Sequence, residues 1–226
     1  GLLMNVNGDG PLWVVVGDGG TIITSTNGFD WVSRTSPTNV LFRGVAYGNG
    51  TYVVCGSNSI VRSTNGTTWS LVAVTNISLQ GVGFGMDFVN SGDTNGVQTE
   101  SPLFVVVGEG GTILTSSNGL SWTPRISGTS QYLSDVIYGN GYYVAVGNQR
   151  ILRSSDGIDW SFATNNVYFY RAAYCSGVFK AAGANGAIWS STDGLTWEAE
   201  ASGTANTLRG ISYAEDQFAA VGFNGT

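Results

Sequence analysis

Five heptapeptides of the pattern Ser-x-(Asn/Asp)-Gly-x-x-Trp recur along the chain, and their spacing constrains the fold more than any other feature. They begin at Ser25, Ser63, Ser116, Ser154 and Ser191 and end at Trp31, Trp69, Trp122, Trp160 and Trp197, so that successive tryptophans lie 38, 53, 38 and 37 residues apart. A near-constant period of this length marks one supersecondary unit repeated, each unable to bury its apolar faces alone. The single long interval holds about 15 additional residues within 85–102, a polar, Gly-rich stretch that reads either as a functional loop or as a tolerated surface excursion.

One period divides into four short segments. In the second they are Phe42-Arg-Gly-Val-Ala-Tyr47, Tyr52-Val-Val-Cys-Gly56, Ile60-Val-Arg62 and, after Trp69, Ser70-Leu-Val-Ala-Val74. Val, Ile, Tyr and Thr fill the segments while Gly and Asn bound them, which is strand and turn chemistry; no window has useful helical periodicity. Gly48-Asn-Gly50 and the Asn/Asp-Gly pairs supply the positive φ angles of tight hairpins. Four antiparallel strands per period are a β-propeller blade. Aligned inner positions agree: Val45, Val82, Val136, Ala172 and Ile211 recur, with Tyr47, Phe84, Tyr138, Tyr174 and Tyr213 two residues on. Between them sit mostly small residues (Ala46, Gly83, Ile137, Ala173, Ser212), as expected near the axis of wedge-shaped units.

The boxes Ser154-Ser-Asp-Gly-Ile-Asp-Trp160 and Ser191-Thr-Asp-Gly-Leu-Thr-Trp197 resemble the Asp-box (BNR) repeat of sialidases, of the photosystem II assembly-factor family and of many bacterial and phage surface proteins. The resemblance covers nearly the whole chain. It implies that each box is a structural hairpin between the third and fourth strands whose tryptophan packs into the blade. The structural set is Ser25, Asn27, Gly28 and Trp31; Ser63, Asn65, Gly66 and Trp69; Ser116, Asn118, Gly119 and Trp122; Ser154, Asp156, Gly157 and Trp160; Ser191, Asp193, Gly194 and Trp197. The boxes depart from the commonest form by one residue fewer between Asp and Trp, and by Asn at 27, 65 and 118. Asn makes the same local backbone bonds as Asp without the charge that cation binding needs, so the boxes read as turn locks.

Gly222-Phe-Asn-Gly-Thr226 aligns with Gly17-Asp-Gly-Gly-Thr21 and Gly108-Glu-Gly-Gly-Thr112, which precede the third strand of their repeats. Residues 1–10 supply a degenerate first strand before Trp13. The expectation is an all-β, single-domain propeller over 1–226, with five complete blades and half of a sixth, six- or seven-bladed if the chain continues. The half blade is then either cut from a longer propeller or completed by another chain, and the second case predicts a homo-oligomer or larger assembly.

Composition restricts the chemistry. A net charge of −6, with 9 basic residues and a single lysine, Lys180, offers no basic run for phosphate neutralisation, so no nucleic-acid partner is expected. No apolar stretch approaches the roughly 20 residues of a membrane-spanning helix. Without histidine or a cysteine cluster, no zinc or transition-metal site, no cofactor and no Ser–His or Cys–His catalysis are expected.

With strands labelled A to D in each blade, the A–B and C–D turns share one face and the B–C and D–A connections the other. The boxes occupy the first. The second carries the residues at the start of each inner strand: Arg43, Gln80, Ser134 with Asp135, Tyr170 with Arg171, and Arg209. Rim residues of the B–C turns are Asp18, Glu109, Gln149, Arg150, Asn185 and Asn224. Arg43, Gln80, Asp135, Tyr170, Arg171 and Arg209 form a candidate ligand site at the channel mouth, the least uniform column of a regular repeat. The resulting expectation is a non-catalytic binding or scaffold module for a protein or glycan, at a cell surface, outside the cell or in a virion. The resemblance also implies two alternatives. One is a sialidase-like glycosidase, for which Arg43, Arg171, Arg209, Tyr170 and Asp135 offer the parts although the Arg-Ile-Pro-type motif is absent. The other is an assembly factor like that of photosystem II, whose arginine-rich patch has no counterpart here.

Overall fold

The computed structural model describes residues 3–7, 11–90, 98–214 and 217–226, nearly all of them in strands and turns. Blade 1 comprises Leu3–Asn7, Trp13–Gly17, Ile22–Ser25 and Val32–Ser33. Blade 2 comprises Phe42–Gly48, Thr51–Gly56, Ser59–Ser63 and Ser70–Val74. Blade 3 comprises Leu79–Asn90, Gln98–Gly108, Ile113–Ser116 and Thr123–Arg125. Each is an antiparallel sheet in sequence order.

Blades 4 and 5 share continuous strands. Leu133–Gly139 pairs with the first part of Tyr142–Ser154, whose last part pairs with the start of Ser161–Cys175. Strands B and C of blade 4 thus run through one corner, at Gln149, where φ is +54°. Ser161–Cys175 then continues inward as strand A of blade 5, followed by Val178–Gly183, Ile188–Ser191 and Glu198–Glu200. The sixth unit holds two strands, Leu208–Ala214 and Gln217–Gly222.

Four apolar clusters lie between consecutive blades, as a propeller requires. Val14, Val16 and Ile22 of blade 1 meet Phe42, Val45 and Tyr52 of blade 2. Val53 and Cys55 meet Leu79 and Phe104; Val105 and Val107 meet Leu133 and Tyr143; Val144 and Val146 meet Phe169 and Phe179. Alternate residues of strand B face opposite neighbours, so this strand is buried on both sides and reads as a continuous apolar run. The blades curve round an axis: the Arg171 guanidinium of blade 5 donates to the Arg43 carbonyl of blade 2 at 3.4 Å. Units laid out in a line could not make that contact.

Small residues of the inner strands sit where the sequence places them, for a steric reason. A Cβ on Gly83 would lie 2.8 Å from the Val136 carbonyl, and one on Gly44 3.0 Å from the Val82 nitrogen. The long interval is built as a paired extension of blade 3. Residues 85–90 and 98–103 continue the A–B pairing of blade 3 in unbroken register, from Leu103↔Gly85 to Gln98↔Asn90, as a two-stranded ribbon. Backbone pairing with a partner strand tolerates a polar sequence, so low hydrophobicity there does not report a loop.

Candidate functional site

The boxes form one hydrogen-bonded turn five times. Ser154 Oγ donates to Asp156 Oδ1 at 2.9 Å and accepts from the Gly157 N–H at 2.7 Å; Asp156 Oδ1 then accepts from the N–H groups of Ile158 and Asp159 at 2.8 and 3.0 Å. Asn27, Asn65, Asn118 and Asp193 accept in the same way from the residues two and three further on. In each box the Oδ1 atom is spent on the serine hydroxyl and two backbone N–H groups, which is the work of a turn lock. Three tryptophans close the box with an indole N–H donated to the box glycine carbonyl: Trp69 to Gly66, Trp160 to Gly157 and Trp197 to Gly194. The other two lack this bond, although Trp122 packs against the core between blades 2 and 3. Trp31 is exposed, and the buried indole nitrogen of Trp122 has no acceptor.

The nine basic residues divide by role. Arg34 and Arg125 donate to Thr24 and Thr115 within their own blades, at 2.8 and 2.9 Å. Arg62 and Arg153 reach across to the box carbonyls of Asn118 and Asp193 in the next blade, at 3.0 and 2.9 Å. Lys180 pairs with Glu200. These five fasten the scaffold. The other four, Arg43, Arg150, Arg171 and Arg209, lie on the D–A and B–C face, which also carries the acidic Asp18, Glu109 and Asp135.

The six residues expected at the channel mouth separate into two groups. Gln80 is buried and donates to Ser78 Oγ at 2.7 Å. Asp135 and Arg171 replace the glycine found at the same inner-strand position as Gly44, Gly81 and Gly210. Arg171 donates to the carbonyls of Ser134, Tyr170 and Arg43, joining blades 4, 5 and 2. Asp135 is buried and accepts from the Ala172 N–H at 3.0 Å; burial raises its pKa, which the Arg171 charge and the Ala172 and Val136 N–H groups oppose. Beside them Cys55 is fully buried, its thiol pKa pushed up to about 12 by burial. These groups are structural.

Tyr170, Arg209 and Arg43 remain on the surface of this face, and the fold adds Tyr132, Tyr168 and Phe223 to them. Tyr132 and Tyr168 rings lie 6.2 Å apart, and Tyr168 and Tyr170 4.5 Å apart. Arg209 sits 4.0 Å over Tyr170 and 5.0 Å from the Phe223 ring. Five side chains thus form one row across blades 4, 5 and the sixth unit. Burial raises the Tyr132 and Tyr168 pKa values; the charge of Tyr168 adds to the first and that of Tyr170 to the second. Both phenols therefore stay protonated at neutral pH.

Other ring pairs belong to the repeat. Tyr47–Tyr52, Phe84–Phe104, Tyr138–Tyr143, Tyr174–Phe179 and Tyr213–Phe218 join strands A and B at equivalent places in five units. The row has no such equivalents: Tyr132 and Tyr168 align with Leu41, Ser78 and Thr207, and Phe223 with Asp18, Glu109 and Ala184. That break in the alignment was the available signal for the three residues. A separate open cleft of about 520 Å³ lies at blade 1, lined by Gly19, Arg34, Pro37 and Asn39 among others. Its one cation, Arg34, is already bonded to Thr24, so the cleft is the weaker candidate.

No family model matches the chain, and no curated protein matches it. Solved structures do. YCF48 bound to a D1 peptide is 20% identical with a TM-score of 0.67, over 97% of this chain and 74% of that one. Virginiamycin B lyase from Staphylococcus aureus is 14% identical with a TM-score of 0.77, over 97% and 77%. An ancestral GH74 enzyme is 17% identical with a TM-score of 0.67, over 88% of this chain and 31% of that one. At such identities the likeness establishes the β-propeller fold alone.

Proposed function

We propose that the chain is a non-catalytic binding module of Asp-box type that recognises a protein or glycan through its D–A and B–C face. The observation that carries this reading is the row Tyr132–Tyr168–Tyr170–Arg209–Phe223, a set of large side chains that the repeat does not require. Aromatic and Arg groups clustered on one face are the composition of recognition surfaces. YCF48, described with a D1 peptide, supports a protein partner on this fold.

Two features weigh against a sialidase-like glycosidase. Arg171 spends its donors on three carbonyls, and the carboxyl of Asp135 is enclosed rather than open to a substrate. The enzymes among the structural neighbours keep that alternative on the bench, and a sialoside-hydrolysis assay decides it: turnover abolished by Arg171→Ala would replace the binding reading. A surface, secreted or virion setting, with the two-stranded sixth unit as an assembly edge, completes the proposal.

A combined glycan and peptide array tests it. Hits lost in Tyr170→Ala and kept in Phe29→Ala, on an exposed box turn of the opposite face, support the site. Hits insensitive to Tyr170→Ala would move it elsewhere.

A further inference from the structure

We infer that Arg209 is a preformed fork for a carboxylate of an acidic peptide segment, with Arg43 as a second cation on the same face. The inference rests on the binding-module reading and specifies its ligand.

Arg209 lies 4.0 Å over Tyr170 and 5.0 Å from Phe223, so aromatic rings flank the guanidinium and fix its plane. Among the described residues none of its N–H donors has a hydrogen-bond acceptor. Such an arginine presents its edge outward, and that edge matches a carboxylate through two parallel hydrogen bonds. Every arginine that serves the scaffold is bonded to a hydroxyl or a carbonyl, whereas the exposed Arg209 keeps its donors open to solvent or to a ligand.

Arg43 gives an independent indication. Its Nε is buried without a hydrogen-bond partner, a cost that structures seldom carry without reason. Its charge acts on Tyr132, at the opposite end of the row from Phe223. Two cations with unused donors therefore bracket the tyrosines.

The stacking also selects between ligands. Sugars pack on open ring faces, but Tyr168 and Arg209 both lie against Tyr170, and two groups at those separations occupy its two sides. The central ring of the row, Tyr170, is thus closed to a stacked sugar, while the guanidinium of Arg209 stays exposed beside it. An extended acidic peptide, with carboxylates spaced along it, fits that surface better than a stacked sugar. Net charge does not explain such binding, because a chain at −6 repels a polyanion in general.

Titration calorimetry at low salt with hexaglutamate, hexaglutamine and trigalacturonate tests this, with thermal melts confirming that each variant is folded. Hexaglutamate is expected to bind and hexaglutamine not to. Arg209→Lys keeps the charge but loses the fork, and is expected to weaken binding by about tenfold or more; Arg43→Gln weakens it further. Equal affinity for wild type and Arg209→Lys, or no binding of hexaglutamate, overturns the inference. Tighter binding of trigalacturonate overturns the peptide assignment. If array hits depend on Tyr170 while none of the three probes binds, the binding module stands and the carboxylate fork falls.

Discussion

Asp135 and Asp193 show how one residue type acquires opposite acid–base behaviour from its surroundings. Burial raises the pKa of Asp135, so the stability it contributes is complete below the ordinary carboxyl range and declines as pH rises through the shifted value. Asp135→Asn keeps an acceptor for the Ala172 N–H and removes that decline. Its melting temperature is expected to overtake the wild type's as pH increases from about 4 to 7. Asp193 moves the other way, lowered to about 2 by the N–H groups of Thr196 and Leu195. Its contribution is present above the ordinary carboxyl pKa and is lost as pH falls towards 2. Asp193→Asn, which mimics the boxes at 27, 65 and 118, is expected to flatten acid unfolding between about pH 4 and 2. Melts across pH check both.

At the scale of the element, the box glycine combines two constraints. Gly157 has φ +71°, and a Cβ there would lie 2.6 Å from Leu103 of the preceding blade. Left-handed backbone costs an L residue about 1–2 kcal/mol, before Leu103 is displaced. Gly157→Ala is therefore expected to lose about 2 kcal/mol or more in urea denaturation. Gly50 also has a positive φ, +68°, but meets nothing within 4 Å, so Gly50→Ala is expected to lose the backbone part alone. Equal losses would show that the box glycines do not wedge between blades. Both glycines are legible in the sequence as turn residues. Only packing separates them, because the contact partner of Gly157 is 54 residues away.

For the whole molecule, one alignment column measures blade closure. Val16, Val107 and Val146 on strand B are fully buried, whereas Val221 in the sixth unit is 59% exposed. Gln217–Gly222 pairs with a single strand and is covered by no further blade among the described residues. Val146→Ala is expected to cost about 2 kcal/mol and Val221→Ala no more than about 0.5 kcal/mol, read from denaturation midpoints. A large loss at Val221 would mean that the edge is covered in solution by another strand, as the assembly proposal requires.

The sequence by itself determined the strands, the turns and the period, because each depends on neighbours close along the chain. A Ser Oγ and an Asn or Asp two residues on lock a turn wherever they occur, and a β-branched run between two such turns pairs locally. It also indicated which face the boxes leave free, since strand alternation follows from blade topology alone. The tertiary structure decided what each residue on that face does. Arg171 and Arg209 stand at neighbouring columns of the same repeat, yet one is spent on carbonyls of three blades and the other on two rings, with its donors unpaired. The ring curvature that brings residues 43 and 171 together is a sum of small rotations between blades, and no local pattern encodes it.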